Sequence, residues 1–111
     1  MAHCKELTVD NLVVEDPAGR GRIEIIGPAV RFFDRRKNLR ALLELHQEWD
    51  DAPRLEFYGH NGRLRLAMVL EGRDSPAIEL RDGNGMDRVN LYIHDDGTPQ
   101  IPSTMRPARP G

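Results

Sequence analysis

The chain has 111 residues, of which 39% are hydrophobic and 31% charged, and its formal net charge is −2. This length excludes two independent domains, and the polar balance leaves room only for a core that is thin or shared between chains. Acidic and basic residues are interspersed, so the chain has no strong field with which to attract nucleic acid or anionic lipid.

The start of the sequence and its cysteine content point to the cytoplasm. Cys4 is the only cysteine, so no intrachain disulfide can form. The first ten residues have neither a basic start nor an apolar run. No later stretch approaches the roughly 18 apolar residues of a membrane span. We therefore expect cytoplasmic localisation and no membrane partner.

An internal repeat dominates the chain, and it runs through segments 12–25, 30–43, 55–68 and 78–91. Each segment begins with an aliphatic residue, turns after four positions and ends with alternating apolar residues. Arginine stands at the eleventh position of each copy, as Arg22, Arg40, Arg65 and Arg88. The connectors repeat as well, since Pro28, Pro53, Pro76 and Pro99 each precede an aliphatic residue by two positions. Ile101 would begin a fifth copy.

Each copy is predicted to form a β-hairpin, because its apolar residues recur with a period of two. Leu55 and Phe57 point to one side and Glu56 to the other, and Ile78 and Leu80 alternate with Glu79 in the same way. The return strands add further apolar residues to that side, namely Ile23, Ile25, Ala41, Leu43, Leu45, Leu66, Met68, Leu70, Val89, Leu91 and Ile93. We expect this side to be buried and the other to face water.

The hairpin turns have a common composition. Residues 16–19 (DPAG) suit a type I turn followed by a left-handed glycine, and 82–85 keeps the aspartate and the glycine. Residues 59–62 keep the final glycine. The second turn, 34–38, departs from the pattern, and we expect Asn38 to adopt the left-handed conformation there.

Residues 35–49 also fit a different structure. Leu39, Leu42, Leu43 and His46 have helical spacing, so taken alone this segment predicts an amphipathic helix. The repeat register instead predicts a strand through Ala41, Leu43 and Leu45. We favour the strand, because the same register explains three other segments.

The hairpins predict an all-β fold of four tandem units. A single hairpin is marginal, so the units must hide their apolar sides. Two architectures do so: an eight-stranded up-and-down barrel, or an elongated stack of hairpins that meets its copies around an axis in a homo-oligomer, with a trimer favoured. We assign residues 1–101 to one β-repeat domain and residues 102–111, which are proline-rich and basic, to a disordered tail.

The combined motif is an Asp-rich connector with proline, then alternating apolar residues, a D-x-x-G turn and a following arginine. It resembles a set of uncharacterised bacterial proteins built from tandem hairpin repeats of about this length. The similarity spans 12–101 and departs at Lys37 and Gly59, where the motif's glycine and aspartate are missing. The resemblance implies a repetitive β assembly and no catalytic residue.

Two small groups of residues are candidates for contacts. Phe33, Tyr58 and Tyr92 fall on the side opposite the aliphatic residues, and exposed aromatic residues often mark partner contacts. His46 and His94 each follow a return strand at equivalent repeat positions. In a symmetric oligomer they could converge on an axis to bind metal or sense pH, and otherwise they are solvent-facing strand ends.

The sequence marks no catalytic residue, no cofactor site and no metal ligand set. We therefore expect a non-enzymatic structural or protein-interaction module that pairs with itself, with a further protein partner as an option and without nucleic acid. The alternative is a small β-barrel that binds an apolar small molecule or acts as a cyclase or isomerase.

Overall fold

The computed structural model describes residues 5–72 and 74–101, with the backbone alone at Trp49. They form nine β-strands and one turn of 3₁₀ helix, Gln47–Trp49. The strands are β1 (Asn11–Glu15), β2 (Gly21–Ile26), β3 (Ala29–Asp34), β4 (Leu39–His46), β5 (Ala52–Tyr58), β6 (Leu64–Glu71), β7 (Ser75–Arg81), β8 (Asp87–Ile93) and β9 (Pro99–Gln100). Cys4 and the expected tail at 102–111 lie outside the described residues.

The strands form a single antiparallel sheet in chain order, from β1 to β9. The prediction of an all-β fold of tandem hairpins is therefore confirmed. The barrel is wrong, because in the described part of the chain β1 pairs with β2 alone and β9 with β8 alone. Closure needs the strand tilt and stagger to bring the two edges together, and this sheet stays open.

Three of the four hairpins contain a bulge just after the turn. The register shifts between Phe32 and Phe33, between Phe57 and Tyr58, and between Leu80 and Arg81. The extra residue on the return strand is the repeat arginine in each case, namely Arg40, Arg65 and Arg88. The first hairpin continues without a shift, because its turn is one residue longer and closes between Asp16 and Gly21.

The turns follow the predicted pattern with one exception. Gly19, Gly62 and Gly85 have φ of 73°, 80° and 85°, the left-handed region that glycine enters without cost. In the second hairpin the left-handed residue is Lys37, with φ of 68°, so the prediction for Asn38 is wrong. The repeat position decides the conformation, because the backbone N–H of Lys37 must reach the carbonyl oxygen of Asp34.

Residues 39–46 form a strand, so the preferred assignment is confirmed and the helix over 35–49 is wrong. Leu43 pairs with Val30 on one side and with Leu55 on the other. These two ladders satisfy the backbone groups that a helix would have paired locally. Helical character survives only in the single turn after His46.

One side of the sheet, hereafter the apolar face, is apolar along the described strands except at the end of β3, where Asp34 pairs with Gly21. It comprises Leu12, Val14, Ile23, Ile25, Val30, Phe32, Ala41, Leu43, Leu45, Pro53, Leu55, Phe57, Leu66, Met68, Leu70, Pro76, Ile78, Leu80, Val89, Leu91, Ile93 and Pro99. The other side, the polar face, contains the remaining charged residues of the strands.

The prediction that the apolar face is buried is wrong for the single chain. The described residues below a tenth exposure all lie on the polar face: Ala29, Leu42, Glu56, Ala67, Ser75 and Ala77. An open sheet has no second layer to cover its apolar face, so Leu43 there remains 47% exposed.

Candidate functional site: the apolar face

The centre of the apolar face is a continuous row of cross-strand neighbours. Leu43 lies opposite Leu55, which lies opposite Met68 on the next strand. The row continues from Met68 to Ile78 and from Ile78 to Leu91. Because directly opposed side chains lie about 5 Å apart, the row is an unbroken apolar strip across the central strands.

Two grooves of about 310 Å³ each cross this face near the connectors that contain the prolines. The first runs between Pro53 and Pro76, and its floor includes Leu55, Met68, Leu70 and Ile78. The second runs between Pro76 and Pro99, and its floor includes Ile78, Leu91, Ile93 and Ile101.

The two grooves are the same feature in consecutive repeats. Leu55, Met68 and Leu70 of the first groove correspond to Ile78, Leu91 and Ile93 of the second, each 23 positions later. Pro76 belongs to both, as the far wall of one and the near wall of the other. Since one repeat is two strands, the grooves are separated by about 9.6 Å along the sheet.

A row of exposed side chains stands beside the grooves, toward the D-x-x-G turns. It consists of the third residue of each repeat, namely Val14, Phe32, Phe57 and Leu80, and we call it the ridge. These side chains are 51%, 40%, 43% and 36% exposed. The ridge therefore has the same two-strand period as the grooves.

Several charged residues of the polar face pair with one another. Arg22 pairs with Glu24, Arg54 with Glu56 at 3.0 Å, and Arg81 with Asp87 at 2.9 Å. Each pair joins neighbours on the sheet surface, which is the ordinary function of alternating charges on a solvated face. This face thus presents paired charges rather than a basic strip.

Glu56 is the most enclosed ionisable group on the polar face, with 7% exposure. Its carboxylate accepts hydrogen bonds from Arg54 and, at 3.0 Å, from the hydroxyl of Tyr58. Burial, and then the hydrogen bond and charge of Glu56, raise the pKa of Tyr58 to about 12. The phenol therefore remains a neutral donor at any physiological pH.

The aromatic candidates lie on the polar face and are half-buried by their neighbours. Phe33 lies under the guanidinium of Arg22, with 5.9 Å between the carbon and the ring centre. The ring of Tyr92 meets that of His94 edge-on at 4.8 Å. With Tyr58 held by Glu56, the three rings lie in separate places and form no common patch. Their function as partner contacts stays a prediction.

His46 and His94 lie at the same end of the sheet but four strands apart, a separation of about 19 Å. His46 ends β4 and is half-buried, whereas His94 is exposed and its Nε2 lies 2.7 Å from Oε1 of Gln100. A single chain does not bring them together. Their convergence on an axis stays a prediction about an oligomer.

Other functional groups do not assemble into a site within the part of the chain that the structure describes. Over residues 5–72 and 74–101, no three His, Cys, Asp or Glu side chains are placed to hold a metal ion. The same residues contain no helix with the length and apolarity to cross a bilayer. Comparison of the chain with known protein families and with curated proteins finds no match.

Sequence reasoning identified the apolar side but missed the grooves and the ridge as features of it. The signal was present in the spacing of 23 residues between Pro53, Pro76 and Pro99. The sequence could not show that the prolines form walls, because that depends on each proline lying on the same face as the aliphatic residues of the return strand. The register of Leu45 with Pro53 and of Leu70 with Pro76 supplies that fact.

Proposed function

We propose that this chain is a non-enzymatic structural or protein-interaction module, which works as a homo-oligomeric β-repeat scaffold, spike or adaptor component. The observation that carries the proposal is the uncovered apolar face, on which Asp34, at the end of β3, is the one charged residue among the described strand positions. We place the protein in the cytoplasm, without nucleic acid or membrane as a partner. Membership in a group of tandem hairpin-repeat proteins remains a prediction.

The size of the apolar face supports assembly. Eight strands at about 4.8 Å and a width of about five residues give a face of roughly 650 Å² per copy. Soluble monomers rarely expose a continuous apolar patch above a few hundred Å². Two such faces in contact would bury roughly 1,300 Å², which lies within the range of stable protein interfaces.

Among possible homo-oligomers we favour a trimer, in which three copies surround a common axis. A face about 17 Å wide is one side of a triangular prism whose centre lies about 5 Å from each side. That distance is half the usual 10 Å spacing between packed sheets, so apolar side chains from three faces would fill the centre without a channel. Two copies packed face to face are the other arrangement that hides all the apolar surface.

Static light scattering on the purified chain tests this proposal. We expect a mass of three times 12.6 kDa, with a dimer as the other supporting result. A monomer at every concentration would overturn the proposal.

Val14 and Val13 offer a matched pair of variants, because they are adjacent and identical but lie on opposite faces. Val14, on the apolar face, is 51% exposed and Val13, on the polar face, is 45% exposed. We expect Val14→Lys to weaken assembly by about tenfold or more and Val13→Lys to leave it unchanged. Equal effects of the two substitutions would show that the apolar face is not the interface.

The alternative function, binding of an apolar small molecule, is favoured by one observation. The grooves are apolar and their volume lies at the lower end of the range for ligand sites. The open sheet provides no enclosed interior among the described residues, so such a molecule would lie on the surface. A monomer that gains thermal stability with an apolar dye would favour this alternative.

A further inference from the structure

The grooves and the ridge have matched periods, and this match identifies what fills the grooves. We propose that the ridge of one copy enters the grooves of a second copy of the same chain, so that neighbouring subunits interlock. This inference rests on the proposed assembly and adds to it the contact that holds the copies in register.

The period is the first argument for a second copy as the occupant. Successive grooves are one repeat apart, about 9.6 Å, so only a partner with knobs at the same interval fills both at once. Ridge residues Phe32, Phe57 and Leu80 stand on β3, β5 and β7, which are successive alternate strands. A second copy of the chain therefore carries ridge side chains at the same two-strand interval as the grooves.

Chemistry is the second argument. Apart from Arg54 in the first groove and Tyr92 and Gln100 in the second, the residues that line the grooves are aliphatic, thioether or proline residues, which match apolar knobs. Ridge residues Phe57 and Leu80 are apolar and are 43% and 36% exposed, so they have apolar surface left to bury. Filling an apolar groove with such a side chain removes apolar surface from water and adds dispersion contacts on both sides.

The position of each feature on the sheet is the third argument. Grooves lie toward the proline-containing connectors, and the ridge lies toward the D-x-x-G turns. A threefold axis parallel to the length of the sheet brings the turn side of one copy against the connector side of the next. The ridge of each copy then meets the grooves of the next copy at all three contacts between subunits. The interface is therefore heterologous, and the ring closes after three copies.

A groove-filling substitution tests this interlock without adding charge or removing apolar surface. Leu70→Trp places a larger side chain in the first groove, and Ile93→Trp does so at the equivalent position of the second. If a ridge side chain must enter the groove, each tryptophan blocks it, and we expect the dissociation constant of the oligomer to rise about tenfold or more. The measurement is sedimentation equilibrium on the full chain.

Val13→Trp on the polar face is the matched control and should leave the dissociation constant unchanged. Far-ultraviolet circular dichroism checks that each variant keeps its strands, and the two groove positions provide independent tests should one variant misfold. An unchanged or lower dissociation constant in both Leu70→Trp and Ile93→Trp would overturn the interlock. General apolar association would gain from the added apolar surface, whereas a blocked groove weakens assembly. A monomeric parent chain would instead overturn the proposed function itself.

Discussion

Arg65 Nε donates a hydrogen bond to the backbone carbonyl oxygen of Arg81 at 2.9 Å. Arg40, at the same repeat position, donates in the same way to the carbonyl oxygen of Tyr58, also at 2.9 Å. Each bond joins the return strand of one hairpin to the first strand of the next, beside the bulge. The bulge moves the arginine out of ladder register and allows its side chain to reach across. These two arginines therefore link consecutive repeats.

The repeat arginines at the ends of the sheet have different partners. Arg22 pairs with Glu15 and Glu24, and its hairpin has no bulge. Arg88 pairs with Asp82 in its own turn at 2.8 Å. A repeat position thus has one environment inside the array and another at its ends, as expected where terminal repeats lack a neighbour.

We predict that Arg65→Ala destabilises the chain by about 0.5–1 kcal/mol, because it removes one charge-assisted hydrogen bond at an exposed site. Arg63→Ala, an exposed substitution in the adjacent turn, is the control and should have a smaller effect. The measurement is urea unfolding followed by circular dichroism, with all variants at one protein concentration because assembly contributes to apparent stability. Equal losses in the two variants would contradict the link.

Lys37→Gly should stabilise the protein by about 0.5–1 kcal/mol. Lys37 has φ of 68°, which is uncommon for a residue with a Cβ, and glycine occupies the equivalent position in the other three hairpins. Gly62→Ala is the reverse change, at φ of 80°, and should destabilise by about 1 kcal/mol. Thermal unfolding at fixed protein concentration checks both signs, and a loss of stability in Lys37→Gly would contradict the strain.

Acid should destabilise the fold through the turn aspartates. The backbone N–H of Met86 and then Arg88 hold the pKa of Asp82 below its ordinary value of 3.8, and the backbone N–H of Asn38 does the same for Asp34. A carboxyl with a lowered folded pKa contributes stability above its unfolded pKa. That stability is lost as pH falls through the folded value, so we expect the decline to begin near pH 4 and continue below it.

Thermal unfolding from neutral pH to pH 2 measures this decline, and Asp82→Asn should make it shallower. Asp10→Asn is a suitable control, because Asp10 is exposed and directly precedes the first strand. If stability falls equally steeply with pH in Asp82→Asn and in the parent chain, Asp82 does not contribute to the acid destabilisation.

Alkaline titration should distinguish Tyr58 from an ordinary phenol. Its pKa is raised to about 12, first by burial and then by the hydrogen bond to Glu56. Between its unfolded pKa near 10 and this folded value, the unfolded chain loses the proton first, so stability falls as pH rises through that interval. Glu56→Gln should lower the titration midpoint toward 10 without reaching it, because the burial remains. Ultraviolet difference absorbance follows the phenolate, and a parent midpoint near 10 would contradict the arrangement.

The local level of the structure was predictable where several copies of one pattern agree. The period of two, the glycine turns and the apolar side were all read correctly, and the strand at 39–46 was recovered despite its helical composition. Helix propensity alone would have assigned a helix to this segment, and agreement with the other repeats identified the strand. A strand depends on its neighbours on both sides, which propensity does not describe. Lys37 shows the limit, because composition favoured Asn38 while the hydrogen-bond geometry of the turn selected its neighbour.

Local sequence was enough to predict that each repeat folds back on a turn and presents one apolar side, because side-chain alternation and turn chemistry are local properties. The open sheet, the grooves lined by prolines and the links that Arg40 and Arg65 make between hairpins became visible in the three-dimensional structure. These features depend on pairing register, bulges and twist summed over many strands, and such long-range quantities are not encoded at any single position.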